Sequence, residues 1–224
     1  MLASHPAAAD VANTLLAELI WAAPGGVLSG LEVCTLETSA LLIVPGSRPE
    51  HVVFPEAGYV SLMAGDATRR VEVAMLGRRD LVGVDLALTD EVASYAAIVR
   101  VGGPAYCLPL DEIRRLLLEC PAVAEVLHRH LRQQLEGSLW AHGASMVRSL
   151  ERRLAAWLVE ASGLLDSAIL PATHDHIAQM LGFRRASVTV ALHVLEGDGL
   201  IRSTRGRVEI RDRDRVACLA AGTR

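Results

Sequence analysis

A chain of 224 residues with 22 basic and 26 acidic side chains, a formal charge of −4 and 51% hydrophobic residues has room for two small domains and is too apolar for disorder. Its mean hydropathy of +0.32 does not indicate a membrane protein. The longest apolar run, Leu19 to Leu31, is broken by Pro24, Gly25 and Gly26 and falls short of the roughly 18 residues a span needs.

The opening MLASHPAAAD has no basic segment before an apolar core, so no secretory signal is expected and the expected location is the cytoplasm. The cysteines, Cys34, Cys107, Cys120 and Cys218, lie far apart without a CxxC pair, and neither a zinc knuckle nor a disulfide framework is expected. Every basic residue is an arginine. From Arg148 onward 12 arginines meet 9 acidic residues, whereas before it 10 meet 17. A basic tail on an acidic front is the asymmetry of a chain whose end alone meets an anionic polymer, although chance composition accounts for it equally well.

Asn13 to Trp21 has apolar residues at helical spacing and predicts a short amphipathic helix. From about Val33 to Leu110 the texture changes to ALLIV, HVVF, YVSLM, VEVAML and YAAIVRV, each closed by glycine or proline. Such runs predict an antiparallel β-sandwich or roll. LPLDEIRRLLLEC, from Leu108 to Cys120, predicts one or two helical turns, and Pro121 then stands where proline starts a helix well. That helix is expected to reach about Val147, with Val123, Leu127, Leu131, Leu135 and Leu139 recurring every four residues, joined by Val126 and Met146. At about 38 Å it is longer than a compact domain needs internally, so the stripe is expected to pack on a second copy of the chain. Packing along its own β-domain is the competing reading. Arg148 to Leu165 predicts another helix, ended by Gly163.

The segment from Ala172 to Leu181 opens on Thr173, able to cap a helix, and ends at Gly182, suited to a left-handed turn. Arg184 to Glu196 predicts a second helix with Val188, Ala191, Leu192 and Leu195 on one side and Arg185, Ala186, Thr189, Val190 and His193 on the other. One face to pack and a small, arginine-led face is what a helix reading the major groove requires. IRSTRGRVEI then predicts two short strands about Arg205-Gly206, a wing able to touch phosphates.

Thr173, Ile177-Ala178, Leu181-Gly182, Arg185, Val188, Leu192 and Leu200-Ile201 stand in ungapped register with the C-terminal pattern of the Crp/Fnr transcription regulators, which this chain resembles over nearly its whole length. The resemblance implies an α+β architecture in three parts. These are a double-stranded, cyclic-nucleotide-binding-like β-roll at residues 1–120, a dimerisation helix at 121–147 and a winged helix-turn-helix at 148–224. It implies a homodimeric, sequence-specific regulator of double-stranded DNA with a pseudo-palindromic operator, RNA polymerase as a further partner, and no cofactor or enzyme activity. The expected DNA-facing residues are Thr173, Arg184, Arg185, Ser187, Thr189, His193, Arg205 and Arg207. The expected dimer contacts are Leu127, Leu131, Leu135 and Leu139.

The chain departs from the family's nucleotide site. Where members carry a Gly-Glu-Leu segment and an Arg-Ser/Thr pair, this sequence has Gly83-Val84-Asp85 and Tyr95-Ala96, and Ser138 alone matches a nucleotide contact on the dimer helix. A buried phosphate without a fixed cation is costly, so a degenerate pocket that rejects cyclic nucleotides is expected. A single N-terminal Cys34 cannot assemble an iron–sulfur site, and a lone thiol such as Cys107 or Cys120 is expected to be simply buried. His128/His130 and His174/His176 are i, i+2 pairs that diverge on a helix and are expected to bind no metal. Two other functions stay open: a cyclic-nucleotide-responsive regulator, and a ligand- or protein-binding module whose helix-turn-helix no longer binds DNA. Ala186 and Val190, in place of the family's Glu and Arg, favour the second.

Overall fold

A computed structural model describes residues 6–23, 28–65, 70–89 and 91–222, with the backbone alone described at residues 141, 142 and 144–147. The opening MLASH, the breakers Pro24, Gly25 and Gly26, and the side chain of Met146 therefore lie outside the described residues. The chain divides into two compact units, Met1–Met63 with Ala74–Ser138 and Ala64–Val73 with Leu139–Arg224.

Helix α1, Thr14–Ala22, starts where the Asn13 side chain accepts from the Leu16 amide. Asn13 is fully buried because its amide group also donates to the carbonyls of Pro55 and Asp80 at 3.0 and 2.9 Å. Strands β1 (Glu32–Leu36), β2 (Leu41–Ile43), β3 (His51–Pro55), β4 (Tyr59–Gly65) and β5 (Arg70–Leu76) follow, then the short helix α2 (Val84–Leu88) and strands β6 (Ala96–Val101) and β7 (Gly103–Pro109). They form two antiparallel sheets, ordered β1-β7-β3 and β2-β6-β4-β5. The predicted apolar runs fall on β2 to β6; β1 and β7 complete the sheets.

Two apolar clusters fill this part of the chain. One gathers Leu16, Leu19, Val52, Phe54 and Leu108 with Ile113 and Leu116 of α3 (Leu110–Glu119) and Val123 and Leu127 of α4 (Pro121–Val147). The other gathers Ile43, Val60, Leu86, Ala97 and Val99, with Cys34, Tyr95 and Cys107 packed against it. Here the cysteine expectation is corrected. Cys34 and Cys107 are joined by a disulfide across β1 and β7, with Cα atoms 6.3 Å apart and a sequence separation of 73. Strand pairing brings together two positions that spacing along the chain keeps distant. Cys107 is therefore not the lone buried thiol anticipated for it.

Pro121 does open α4, a helix of 27 residues and about 40 Å. The leucine stripe splits along it. Leu127 is fully buried in the first cluster, and the half-buried Leu131 packs against that same cluster, so both contribute to the chain's own core. Leu135 and Leu139 are 60% and 64% exposed, and neighbouring Trp140 is 81% exposed.

The C-terminal unit is built on α5, Leu150–Leu165. Ser149 caps its start through the Arg152 amide, and the helix runs through Gly163, the predicted stop, to end at Asp166 in the left-handed region with φ 48°. Strand β8 (Ile169–Leu170), helices α6 (His174–Leu181) and α7 (Arg185–Gly197), strands β9 (Ile201–Thr204) and β10 (Arg207–Ile210) and helix α8 (Arg213–Ala221) complete it. Its sheet is ordered β8-β10-β9. Helix α8 lies beyond the reach of the sequence reading, which stops at the wing. Arg152 donates to the Ala221 carbonyl at 3.0 Å, tying the end of α8 to α5.

Candidate nucleic-acid interface

Helix α6 begins where Thr173 accepts from the His176 amide at 3.1 Å. It ends at Gly182, whose φ of 70° reverses the chain at no steric cost for a residue without Cβ. The turn is held from outside by Arg153 of α5. Its guanidinium donates to the Leu181 carbonyl at 2.8 Å and lies 4.7 Å from the centre of the Phe183 ring. One side chain thus satisfies a terminal carbonyl of α6 and stacks on the turn that follows.

Helix α7 buries Val188, Ala191, Leu192 and Leu195. Arg184, Arg185, Ala186, Ser187, Val190 and His193 are exposed, so the two predicted faces are the two faces the fold presents. Arg184 occupies the cap position without a side-chain cap bond, and the first turn carries no acidic residue. An anion at this helix start would meet the positive end of the helix dipole. Arg185 opens the helix, and its Nε lies 3.4 Å from Asp175 Oδ1 of α6.

Thr189 differs from its neighbours. It is half-buried, and its hydroxyl lies 2.9 Å from Nδ1 of His174, whose Nε2 lies 3.1 Å from the Ser203 hydroxyl on β9. His174 therefore stitches the first helix, the second helix and the wing together through its two ring nitrogens. Glu196 adds a second tie, accepting from the Ser203 amide at 3.1 Å. Sequence periodicity identifies Thr189 as outward but carries no signal that it meets His174, nor that Arg153 and Glu196 brace the motif.

The wing pairs Arg207 with Thr204 and Ile210 with Ile201 about Gly206, at φ 79°. Arg202, Arg205 and Arg207 are exposed on it, and Arg207 Nε donates to the Thr204 hydroxyl at 3.1 Å. Thr173 is also exposed. Within this unit the fold gathers the predicted arginines and Thr173 around α6, α7 and the wing.

The positions read as a degenerate effector pocket lie in the other unit. Gly83, at φ 90°, precedes α2, Val84 and Ala96 are buried, and Ser138 is exposed on α4. The Tyr95 hydroxyl donates to Asp85 at 2.6 Å. Burial, and then that bond to a carboxylate, push the phenol far above its ordinary range, so it stays protonated and donating. Tyr95 and Asp85 are thus engaged with each other. The histidine pairs diverge as expected: His128 is exposed while His130 is buried, and His176 meets the Trp157 ring edge-on at 6.1 Å.

The family described as Crp-like helix-turn-helix domain matches residues 152–219. A regulator of the Crp/Fnr family from Eubacterium rectale superposes with a TM-score of 0.71 at 18% identity, over 93% of this chain and 95% of its own. A CRP/FNR-family regulator from Thermus thermophilus gives 0.71 at 23% identity, over 85% and 98%. FixK2 of Bradyrhizobium japonicum gives 0.72 at 17% identity, over 84% and 96%. At these identities the likeness establishes the fold. Among curated proteins no sequence matches this chain. No helix among the described residues is long and apolar enough to cross a membrane.

Proposed function

We propose that this chain is a DNA-binding transcription regulator of the Crp/Fnr family that acts in the cytoplasm as a homodimer reading a pseudo-palindromic operator. The observation that carries the reading is α7 itself. Its packing face is buried, its opposite face exposes Arg184, Arg185, Ala186, Ser187, Val190 and His193, and an arginine-bearing wing lies in the same unit.

Each side chain takes a role suited to its chemistry. Arg185 offers the planar donor fork that matches the O6 and N7 of guanine and reads one base in each half-site. Ala186 and Val190 have no hydrogen-bonding group and pack on thymine methyls. Thr173, Arg184, Ser187, Arg205 and Arg207 grip phosphates and set register, with His193 at the far end of the exposed face. Thr189 supports the reading helix through His174 rather than touching DNA.

Residues 1–120 serve as the sensor or scaffold, 121–147 as the dimer helix and 148–224 as the reader. The exposed Leu135 and Leu139 support a seam between two copies, confined to the half of the stripe that the chain does not bury itself. The Tyr95–Asp85 pair supports an effector other than a cyclic nucleotide, since Tyr95 and Ala96 offer no cation for a phosphate. RNA polymerase is the partner through which such a dimer regulates. A gel shift with DNA from upstream of the protein's own gene tests the reading: a retarded dimer complex that resists nonspecific competitor is expected, and its absence supports a module that has lost DNA binding.

A further inference from the structure

We infer that Cys34 and Cys107 form a reversible thiol–disulfide site in the roll, oxidised by peroxides and reduced by low-molecular-weight thiols. The two lie on one face of an antiparallel strand pair. Cys34 stands opposite Ala105 and Cys107 opposite Glu32, which makes the cysteines diagonal neighbours. Their Cα separation of 6.3 Å is within the range a disulfide spans without moving the backbone. The same strand pairing therefore accommodates the bond open or closed.

The setting argues for both states. The inference rests on the proposed DNA-binding role for its compartment: a regulator works in the reducing cytoplasm, where disulfides are transient and serve catalysis or sensing. Both cysteines are half-buried and so retain exposure to solvent. Cys120, by contrast, is buried with its thiol directed at the Ala22 carbonyl. The bond also lies where it has a consequence. Strand β1 is an edge strand, paired with β7 alone among the described strands, and the disulfide fastens that edge. Cys34, Cys107 and Tyr95 pack on one apolar cluster, so the staple bears on the same cluster as the Tyr95 ring.

The chemistry balances without a bound group. One cysteine thiolate attacks a peroxide oxygen and breaks the O–O bond, becoming a sulfenic acid while the departing alkoxide or hydroxide takes a proton. The second thiol displaces water from that sulfur and forms the S–S bond. Two thiols lose two electrons, and the peroxide is reduced to an alcohol, or to water, plus a water. Two glutathione thiols reverse the change through a mixed disulfide, leaving oxidised glutathione.

The test uses the full chain, reduced with dithiothreitol, freed of reductant and treated with hydrogen peroxide. Peptide mapping after thiol alkylation should find Cys34 linked to Cys107. Glutathione buffer at the cytoplasmic poise should then return both thiols in the native protein, and the oxidised form should melt several degrees above the reduced one. Cys34→Ser and, independently, Cys107→Ala should abolish the linked peptide and the oxidised–reduced difference in melting. The inference is overturned if the native disulfide persists in that glutathione buffer, if peroxide consumes only Cys120 or Cys218, or if the variants respond as the parent does. Operator binding by the reduced protein is a separate measurement: its failure removes the DNA-binding reading and leaves the thiol result standing.

Discussion

Arg185 and Asp175 are joined across the turn between the two helices of the motif, Nε to Oδ1 at 3.4 Å. The contact is made through Nε; on the proposed reading, the terminal nitrogens are the ones that meet a base. It also sets an exposed negative charge beside the proposed base-reading arginine. Both side chains are well exposed, so as a stabiliser the pair contributes only about 0–1 kcal/mol. Its value lies in orientation.

Asp175→Asn should therefore leave the fold intact and raise affinity for all DNA slightly, by removing a charge that phosphates repel. It should narrow the gap between specific and nonspecific sites by less than about 1.4 kcal/mol, a tenfold ratio. Competition binding with operator and random DNA measures both effects. An unchanged ratio with unchanged affinity would mean that Asp175 does not act on Arg185.

The split stripe on α4 makes two kinds of leucine. Leu135→Glu with Leu139→Glu should give a folded monomer in sedimentation at micromolar concentration, because burying the new charges in a seam costs several kcal/mol. Leu127→Ala should instead lower stability by roughly 2–5 kcal/mol, as for a core truncation, with dimerisation unaffected at temperatures below melting. A double-glutamate variant that remains dimeric would place the seam elsewhere.

Cyclic AMP or cyclic GMP should change neither melting temperature nor DNA affinity. A ligand at a hundred times its dissociation constant stabilises the folded state by about 2.7 kcal/mol, which a melting curve detects readily. A shift of several degrees would show that the Tyr95–Asp85 pair yields to the nucleotide.

His130 predicts an acid limit. Burial holds its imidazole below the ordinary value, against the opposing field of Glu18. The unfolded chain takes up this proton near pH 6.5, about the ordinary histidine value, and the folded chain resists it to lower pH. The unfolded state thus binds more protons in that window, and stability should fall as pH drops through it and recover above it. His130→Gln should flatten this part of the melting-temperature profile. A variant with the parent's slope would assign the acid limit to other groups.

The helix-turn-helix is legible in the sequence because its logic is local. A cap at Thr173, a left-handed glycine at Gly182 and the periodic burial of Val188, Ala191, Leu192 and Leu195 are all written within 25 residues. What the sequence hides depends on strand register. Gly102-Gly103-Pro104 reads as a turn, yet Gly103 begins β7, and a Cβ on Gly102 would collide with the Leu36 carbonyl. With β1 and β7 unrecognised, no argument brings Cys34 to Cys107. Gly163 misleads for the opposite reason: a glycine tolerated inside a packed helix reads as its stop. On α4 the four-residue period locates an apolar stripe but not what each leucine meets. Likewise the period of α7 places Thr189 outward without revealing His174 across from it.

The most direct test of the account is selection of binding sites from a random DNA pool by the parent protein and by Arg185→Ala. The parent should enrich a pseudo-palindrome with a guanine at matching positions of both half-sites. Arg185→Ala should lose about 1–3 kcal/mol on that site and flatten preference at that base pair alone, whereas Arg205→Ala should weaken all sequences alike and reduce the salt slope. No enrichment by the parent, or an Arg185→Ala consensus identical to the parent's, would contradict the placement of α7 in the major groove.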